Sequence, residues 1–415
     1  MTGKHPGHAF VRNNKAMQPE GQHPIPASEV TIGELLQKEG YATGAFGKWG
    51  LGGPSSTGDP IDQGFNRFFG YNCQAHAHSY YPATLWSYNE LYKLKNAPPV
   101  PGHASLPEGS DPTDPRSYDV FKGQDYAPDR INEQALAFIR KNKNKPFYLY
   151  YPTVIPHVAL HVPDEELKPY LAQKWNDPPF TRGKGYGYTP HFTPRAAYAA
   201  MITRMDRYIG NVLNLIKELG LEENTIVVFT SDNGTTHLKL EVDYDFFESV
   251  KPLRGLKGSL YEGGMRVPLI VKWPGKVKPG SESDQLICLT DFFATVSEIV
   301  GAKLPEGSCE DSVSFLPALS GKTIVSTRNG VIHHSISGHF AYRQGPWKLL
   351  LAKASGGWSS PNEKKAKAGS PPAQLYDMEA DVGERKNLYL EKPGIARKLL
   401  SLLREDIQRG RSTKG

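Results

Sequence analysis

The chain has 415 residues, a formal net charge of +6, and a composition that is 38% hydrophobic and 22% charged. These values are ordinary for a globular protein and exclude a disordered or fibrous chain, and the length allows a large core and more than one domain. No window approaches the ~18 apolar residues of a membrane span. The lysine-rich stretches 140–145 and 362–369 lack interleaved aromatic residues. We therefore predict solvated loops there, and no nucleic-acid partner.

The first predicted element is a helix over residues 28–41, with Ser28 as its cap. A short strand that runs into a glycine-rich loop follows at 42–53. Residues 53–125 are rich in Pro, Gly, Tyr and His, so we predict a long and mostly irregular segment there. A segment of this kind in a compact protein usually serves function.

From residue 129 the pattern alternates between helix and strand, which predicts an α/β sheet with parallel strands. The predicted helices cover 129–142, 196–220 and 290–301. The predicted strands cover 145–154, 225–230 and 267–275.

After about residue 325 the pattern changes to short strands joined by turns, followed by an amphipathic helix at 394–410. We therefore predict a catalytic domain over residues 1–325 and a smaller α+β antiparallel subdomain over residues 326–415.

The three cysteines, Cys73, Cys288 and Cys309, are far apart and form no Cys-x-x-Cys pair, which argues against a zinc site. The sequence leaves open whether two of them form a disulfide. The opening residues, "MTGKHPGHAFVRNN", contain no apolar segment typical of a signal peptide.

Charged and polar residues occupy four loops that follow predicted strands. Lys48 lies in "GAFGKWGLGG", and His157 follows a strand and a proline. Asp232 and Asn233 end a strand in "SDNG", and Lys257 lies in "GLKGSLYEGG". Taken singly, each of these residues more often has no role in function: such a lysine is usually solvated, such a histidine is usually a hydrogen-bonded structural residue, and Asp-Asn-Gly is usually an Asx turn. Because open α/β sheets bind ligands at the carboxyl ends of their strands, we expect these residues to meet in one site.

The residue types in these loops indicate the chemistry of that site. Two lysines and a histidine suit a tetrahedral oxyanion, whose transition state gathers charge on its oxygens. Asp and Asn supply oxygen ligands for Ca²⁺ or Mg²⁺, which would polarise the same group. The residues therefore predict hydrolysis of a sulfate or phosphate ester and do not distinguish between the two.

The order of "GKWGLG", "PHVALHVP", "SDNG" and "GLKGSLYEGGMRVP" resembles the formylglycine-dependent sulfatases of the alkaline phosphatase superfamily. The segment "LYDMEADVGERKNL" is similar to the C-terminal signature of that family, so the resemblance covers essentially the whole chain. It implies a mostly parallel central sheet flanked by helices, with a smaller C-terminal antiparallel subdomain. It also implies an arylsulfatase-like sulfuric ester hydrolase that acts on an aryl or carbohydrate sulfate.

Carried over residue by residue, the resemblance assigns the sulfate oxygens to Lys48 and Lys257. It places His157 against the sulfate and the leaving group. Asp232 and Asn233 become ligands of Ca²⁺, with Mg²⁺ as the alternative. As further substrate contacts we select four histidines, His76, His78, His237 and His334.

The sequence departs from the family pattern at two places. Where many members have "GKWHLG", with a histidine that stabilises the formylglycine hydrate, this chain has Gly50. His76 or His78 would be the substitute. The second departure is the absence of the C-x-P-x-R motif, whose Cys or Ser becomes formylglycine, and of the Asp-Asp pair of the first strand. "MTGKHPGH" resembles the end of that motif, with Met1 at a leucine position.

These departures lead us to expect that Met1 is an internal residue of a longer sulfatase and that the chain as given is inactive. A full-length form would need a formylglycine-generating enzyme and, by the habit of the family, would be exported to the periplasm or the extracellular space. Two alternatives remain open. One is a phosphonate or phosphodiester hydrolase of the same superfamily, and the other is a non-catalytic fragment that binds sulfated ligands.

Overall fold

The computed structural model describes residues 1–17, 21–181 and 187–414, and these form an α/β fold with a smaller antiparallel C-terminal subdomain, as predicted. The strands are β1 (Ala16–Met17), β2 (Gly21–Gln22), β3 (Ala42–Lys48), β4 (Arg67–Tyr71), β5 (Thr84–Ser87), β6 (Glu90–Lys93), β7 (Phe147–Tyr150), β8 (Val227–Thr230), β9 (Leu269–Lys272), β10 (Val331–His334), β11 (Phe340–Gln344), β12 (Trp347–Leu350) and β13 (Gln374–Asp377). The α-helices are α1 (Ile32–Lys38), α2 (Ala127–Asn142), α3 (Asp164–Leu171), α4 (Pro194–Glu218), α5 (Glu262–Met265), α6 (Phe292–Val300), α7 (Leu316–Leu319) and α8 (Pro393–Arg409).

The central sheet has five strands in the order β6-β5-β4-β3-β7. β3 lies in the middle of its parallel part, with β4 on one side and β7 on the other. β5 and β6 extend the β4 side as an antiparallel hairpin. Helix α2 packs against β3, β4 and β7, and α4 packs on α2 and α3. Since β3, β4 and β7 run in one direction, their carboxyl ends lie at one edge of the sheet.

The segment 53–125 is mostly irregular, as predicted, but it also contains three short strands of this sheet that the sequence did not indicate. Phe68, Phe69 and Tyr71 in β4 are at most 1% exposed. A strand buried on both faces has no alternating pattern, and the abundant Gly and Pro around it obscured a short apolar run.

Helix α1 begins later than predicted. Thr31 caps it: the Thr31 hydroxyl accepts the N–H of Glu34, and the Glu34 carboxylate accepts the N–H of Thr31. This capping box satisfies two N–H groups that the first turn leaves unpaired, so the prediction of Ser28 as the cap is wrong.

β8 and β9 were predicted as strands of the parallel sheet, but they form a separate antiparallel pair, so that part of the prediction is wrong. β8 ends at Thr230, directly before "SDNG", and the Thr230 hydroxyl donates to the carbonyl of Pro268 just before β9. The pair therefore holds the "SDNG" turn beside the segment that follows Lys257.

The C-terminal subdomain is an antiparallel sheet in the order β10-β11-β12-β13, with α8 packed on β11 and β12. All four strands lie after residue 330, whereas the domain boundary at residue 326 remains a prediction. The three cysteines are free thiols. None of the described helices is long and apolar enough to cross a bilayer.

Candidate active site

The carboxyl ends of β3 and β7 approach each other closely at Lys48. The backbone N–H of Lys48, the last residue of β3, donates to the carbonyl of Pro152, 2.9 Å away. At the preceding Gly47, with a φ of 138°, a Cβ would lie 2.1 Å from that same oxygen. Only glycine allows this approach, and the loop after β3 therefore places the Lys48 side chain beside the loop after β7.

His157, in the loop after β7, is half-buried and neutral. Its Nδ1 lies 2.5 Å from the carbonyl oxygen of Val158, which can only accept, so Nδ1 carries the proton and Nε2 is free to accept. Burial, together with the charges of Lys257 and Lys48, lowers the pKa of His157 to about 3. Both lysines are thus near enough for their charges to act on this ring.

The "SDNG" turn and the Lys257 loop are bonded to each other. The N–H of Lys257 donates to the carbonyl of Thr235 over 2.7 Å, and the N–H of Gly234 donates to that of Gly264 over 3.1 Å. A Cβ on Gly234 would lie 2.0 Å from the carbonyl oxygen of Gly263. The glycines of "DNG" and "EGG" therefore let two backbones touch, which fixes Lys257 relative to Asp232.

Lys257 is half-buried and faces charges of both signs. Burial lowers its pKa, the Asp232 carboxylate raises it in part, and the Lys48 ammonium lowers it again. Two like charges held near each other and partly out of water are favourable only when an anion balances them. The structure thus brings Lys48, His157, Asp232 and Lys257 together.

Asp232 and Asn233 offer oxygen atoms at the end of β8. Asp232 is exposed, and the Nδ2 of Asn233 donates to the carbonyl of Gly234 over 3.0 Å, which leaves Oδ1 as its ligand atom. Carboxylate and amide oxygens fit the hard cation Ca²⁺, although Ca²⁺ takes about six to eight such ligands. These two residues would supply part of its coordination shell.

Of the four additional histidines, His78 lies at the site. Its ring is parallel to that of His157, with centroids 5.3 Å apart and an interplanar angle of 4°. His103 donates Nδ1–H to the Gly187 carbonyl, and its Nε2 lies 2.9 Å from Nδ1 of His78. When both rings are neutral, His78 therefore donates from Nδ1 and keeps a free Nε2. Burial, His103 and the charge of Lys48 lower the pKa of His78 to about 4.

His237 also lies near the lysines. Burial and the charge of Lys257 lower its pKa. Its ring lies 4.4 Å from that of Trp358, centroid to centroid. Trp358 was not selected from the sequence because it belongs to the C-terminal subdomain, far along the chain from the strand-end motifs.

Among the described residues, His76 and His334 have neighbours other than the two lysines. The edge of the His76 ring meets Tyr71, a core residue, with centroids 5.1 Å apart. His334 lines the large open cavity that also reaches Lys257, yet its pKa is lowered by burial, Arg12 and His339 rather than by the lysines. The role of these two histidines as substrate contacts stays a prediction.

A buried ionic network supports the Lys257 loop, and sequence reasoning missed it. The Lys348 ammonium, which is fully buried, lies 2.8 Å from Glu262 and 2.9 Å from Glu384. Burial raises the pKa of Glu262, but the charges of Lys348 and Arg343 outweigh this effect and lower it to about 2. The signal was present in "WKLLL", where a lysine stands in an otherwise apolar strand.

Residues 1–302 match the family model called Sulfatase. The chain belongs to the sulfatase family. A second model, "N-sulphoglucosamine sulphohydrolase, C-terminal", matches residues 256–354 of this sulfatase, from the Lys257 loop through β12. The family assignment inferred from the sequence is thus confirmed, and with it the class of sulfuric ester hydrolases.

Among its curated relatives is the N-acetylgalactosamine-6-O-sulfatase of Bacteroides thetaiotaomicron, 30% identical over 97% of this chain and 81% of the relative. Human arylsulfatase A is 27% identical over 93% of this chain and 72% of its own length. A solved structure from work on glycosaminoglycan metabolism by B. thetaiotaomicron matches 98% of this sulfatase and 87% of that chain, with 25% identity and a TM-score of 0.70. A sulfatase from Pseudoalteromonas sp., 19% identical with a TM-score of 0.70 over 100% of this chain and 80% of its own, shares the fold.

Proposed function

We propose that this sulfatase binds the sulfate group of a sulfated carbohydrate between Lys48 and Lys257 and takes part in hydrolysis of the ester. The observation that carries the proposal is the convergence of these lysines with His157 and Asp232, from the end of β3 and the loops that follow β7 and β8. Partly desolvated ammonium groups stabilise charge on sulfate oxygens far better than groups in water do.

His157 has the role of proton donor to the departing oxygen. In the ligand-free site its ring is neutral, with the proton on Nδ1. A bound sulfate ester brings a negative charge that balances Lys48 and Lys257, so it raises the pKa of His157. The proton then gained at Nε2 is donated to the ester oxygen as a nucleophilic oxygen bonds to sulfur and the S–O bond to the carbohydrate breaks.

Asp232 and Asn233 would hold the calcium ion expected in this family, which when bound polarises a sulfate oxygen. Ca²⁺ is preferred to Mg²⁺ because Mg²⁺ demands a stricter octahedral geometry. Both assignments remain proposals.

A carbohydrate ester is preferred to an aryl ester for two reasons. The relative that is 30% identical carries the name of an N-acetylgalactosamine-6-O-sulfatase, and the structure at 25% identity comes from work on glycosaminoglycan metabolism. An arylsulfatase is also among the relatives, so aryl sulfates belong in the assay as competitors.

We further propose that residues 1–415 alone turn over sulfate esters negligibly. None of the three cysteines lies in a C-x-P-x-R sequence. Cys288 lines the cavity that reaches Lys257, but burial and the Asp291 carboxylate raise its pKa to about 11, which keeps the thiol protonated. Loss of a covalent nucleophile costs about a millionfold in kcat in other hydrolases.

Calorimetric titration of inorganic sulfate and of N-acetylgalactosamine 6-sulfate tests the proposed site. Lys257→Ala should weaken both by about tenfold or more, since a charge-assisted contact is lost. Lys386→Ala, which removes an exposed lysine paired with Glu391, is the control and should leave both affinities unchanged. Equal affinities in wild type and Lys257→Ala would refute the site. Tighter binding of a phosphodiester analogue would favour the phosphodiester hydrolase alternative.

A further inference from the structure

The long loop of the C-terminal subdomain between β12 and β13 is hydrogen-bonded to the chain on both sides of Lys257. The N–H of Leu256 donates to the Ser359 hydroxyl over 2.8 Å. The N–H of Leu260 donates to the carbonyl of Ser355 over 2.8 Å. The C-terminal subdomain therefore fixes the position of this loop relative to the lysine at the site.

Trp358 extends from this loop over the residue next to Lys257. A Cβ on Gly258 would lie 2.7 Å from Cε3 of Trp358, so the indole rests directly on the Gly258 backbone. His237 packs on it with ring centroids 4.4 Å apart and an interplanar angle of 34°. Trp358 nevertheless remains 42% exposed, and it lines the same cavity as Asp232 and Lys257.

The exposure of Trp358 would be unfavourable if the residue served packing alone, because a tryptophan usually buries a large apolar area. Here the hydrogen bonds on both sides of the loop keep much of the indole exposed to water beside a charged site. The remaining exposed surface is flat, apolar and electron-rich. Flat apolar faces of this kind bind the faces of rings and do not select for charge.

We propose that Trp358, supported by His237, is the platform on which the pyranose ring of the substrate stacks while its sulfate lies between Lys48 and Lys257. This assignment rests on the proposed function and adds the residue that selects the carbohydrate part of the substrate.

A polar group nearby favours a sugar over a plain aromatic ring. His78 carries a proton-free Nε2 when neutral, and such an atom accepts a hydrogen bond from a hydroxyl group. A pyranose ring has an apolar face of C–H groups for the tryptophan and hydroxyls for this acceptor. A phenyl ring also has an apolar face for the tryptophan, but it has no hydroxyl groups to donate hydrogen bonds.

The test compares Trp358→Ala and Trp358→Phe with wild type by calorimetric titration. The ligands are N-acetylgalactosamine 6-sulfate, phenyl sulfate and inorganic sulfate. Trp358→Ala should bind the sugar sulfate about tenfold more weakly, as expected for loss of an aromatic stacking contact, with an unchanged affinity for inorganic sulfate. Trp358→Phe should retain most of the sugar affinity. Tyr88→Ala removes another exposed aromatic residue, in the turn between β5 and β6. This control should leave the affinities for all three ligands unchanged.

The other outcomes each overturn the inference in a recognisable way. Unchanged sugar affinity in Trp358→Ala rejects the platform and leaves the lysine site standing. An equal loss for sugar sulfate and inorganic sulfate shows that Trp358 only shapes the Lys257 loop. Tighter binding of phenyl sulfate than of the sugar sulfate rejects the carbohydrate assignment. Absence of sulfate binding in wild type rejects the proposed function together with the platform.

Discussion

The proposed chemistry depends on the Nε2 atom of His157, which has to accept a proton and pass it to the departing oxygen. The Val158 carbonyl accepts the Nδ1 proton, so this tautomer is set by the backbone rather than by a neighbouring carboxylate. The low pKa of the ring, about 3, comes first from burial and then from the two lysines. The same charges that attract the substrate thus keep the ring neutral until an anion arrives.

At the residue scale, the pH dependence of sulfate binding should report Lys257. Only the protonated lysine attracts the anion, so affinity is high below the pKa of free Lys257 and falls as the pH rises through it. Because burial lowers this pKa from 10.5, the fall should begin at a lower pH than for an ordinary lysine. In Lys257→Arg, whose guanidinium stays protonated to above about pH 12, the fall should move to higher pH. Titration calorimetry between about pH 7 and 11 measures it, and identical profiles for the two proteins would contradict the assignment.

At the scale of elements, α5 connects the site to the C-terminal sheet. The first residue of α5, Glu262, forms ion pairs with Lys348 of β12 and Arg343 of β11. The backbone N–H of Glu262 donates to the Glu384 carboxylate over 2.7 Å. A buried lysine between two carboxylates contributes little net stability, but removal of one partner leaves buried charge unpaired.

Replacement of the buried Lys348 by a neutral residue should therefore destabilise the protein strongly. Lys348→Met leaves Glu262 and Glu384 without their shared cation and should lower the free energy of unfolding by about 3–5 kcal/mol. Urea unfolding followed by circular dichroism measures it. Lys386→Ala, which breaks an exposed pair, should cost less than about 1 kcal/mol. A loss in Lys348→Met as small as in this control would mean that water reaches the network.

At the scale of the whole molecule, the sequence was sufficient for the α/β class. The sequence also identified the loops that hold Lys48, Asp232 and Lys257, although β8 pairs with β9 outside the central sheet, and their shared role in sulfate binding stays a prediction. The sequence failed for β4, because a fully buried strand has no period. It also failed for Trp358 and Lys348, since their roles depend on how the C-terminal subdomain packs against the Lys257 loop, which no local pattern encodes.

The position of a bound sulfate tests the central claim most directly. A crystal structure of this chain with N-acetylgalactosamine 6-sulfate, recorded at a wavelength where sulfur scatters anomalously, locates the sulfur atom without reference to a model of the ligand. We predict that the sulfate oxygens lie at about 2.7–3.2 Å from Nζ of both Lys48 and Lys257, with His157 in contact with the ester oxygen. An anomalous peak elsewhere on the molecule, with no anion between the two lysines, would contradict the account.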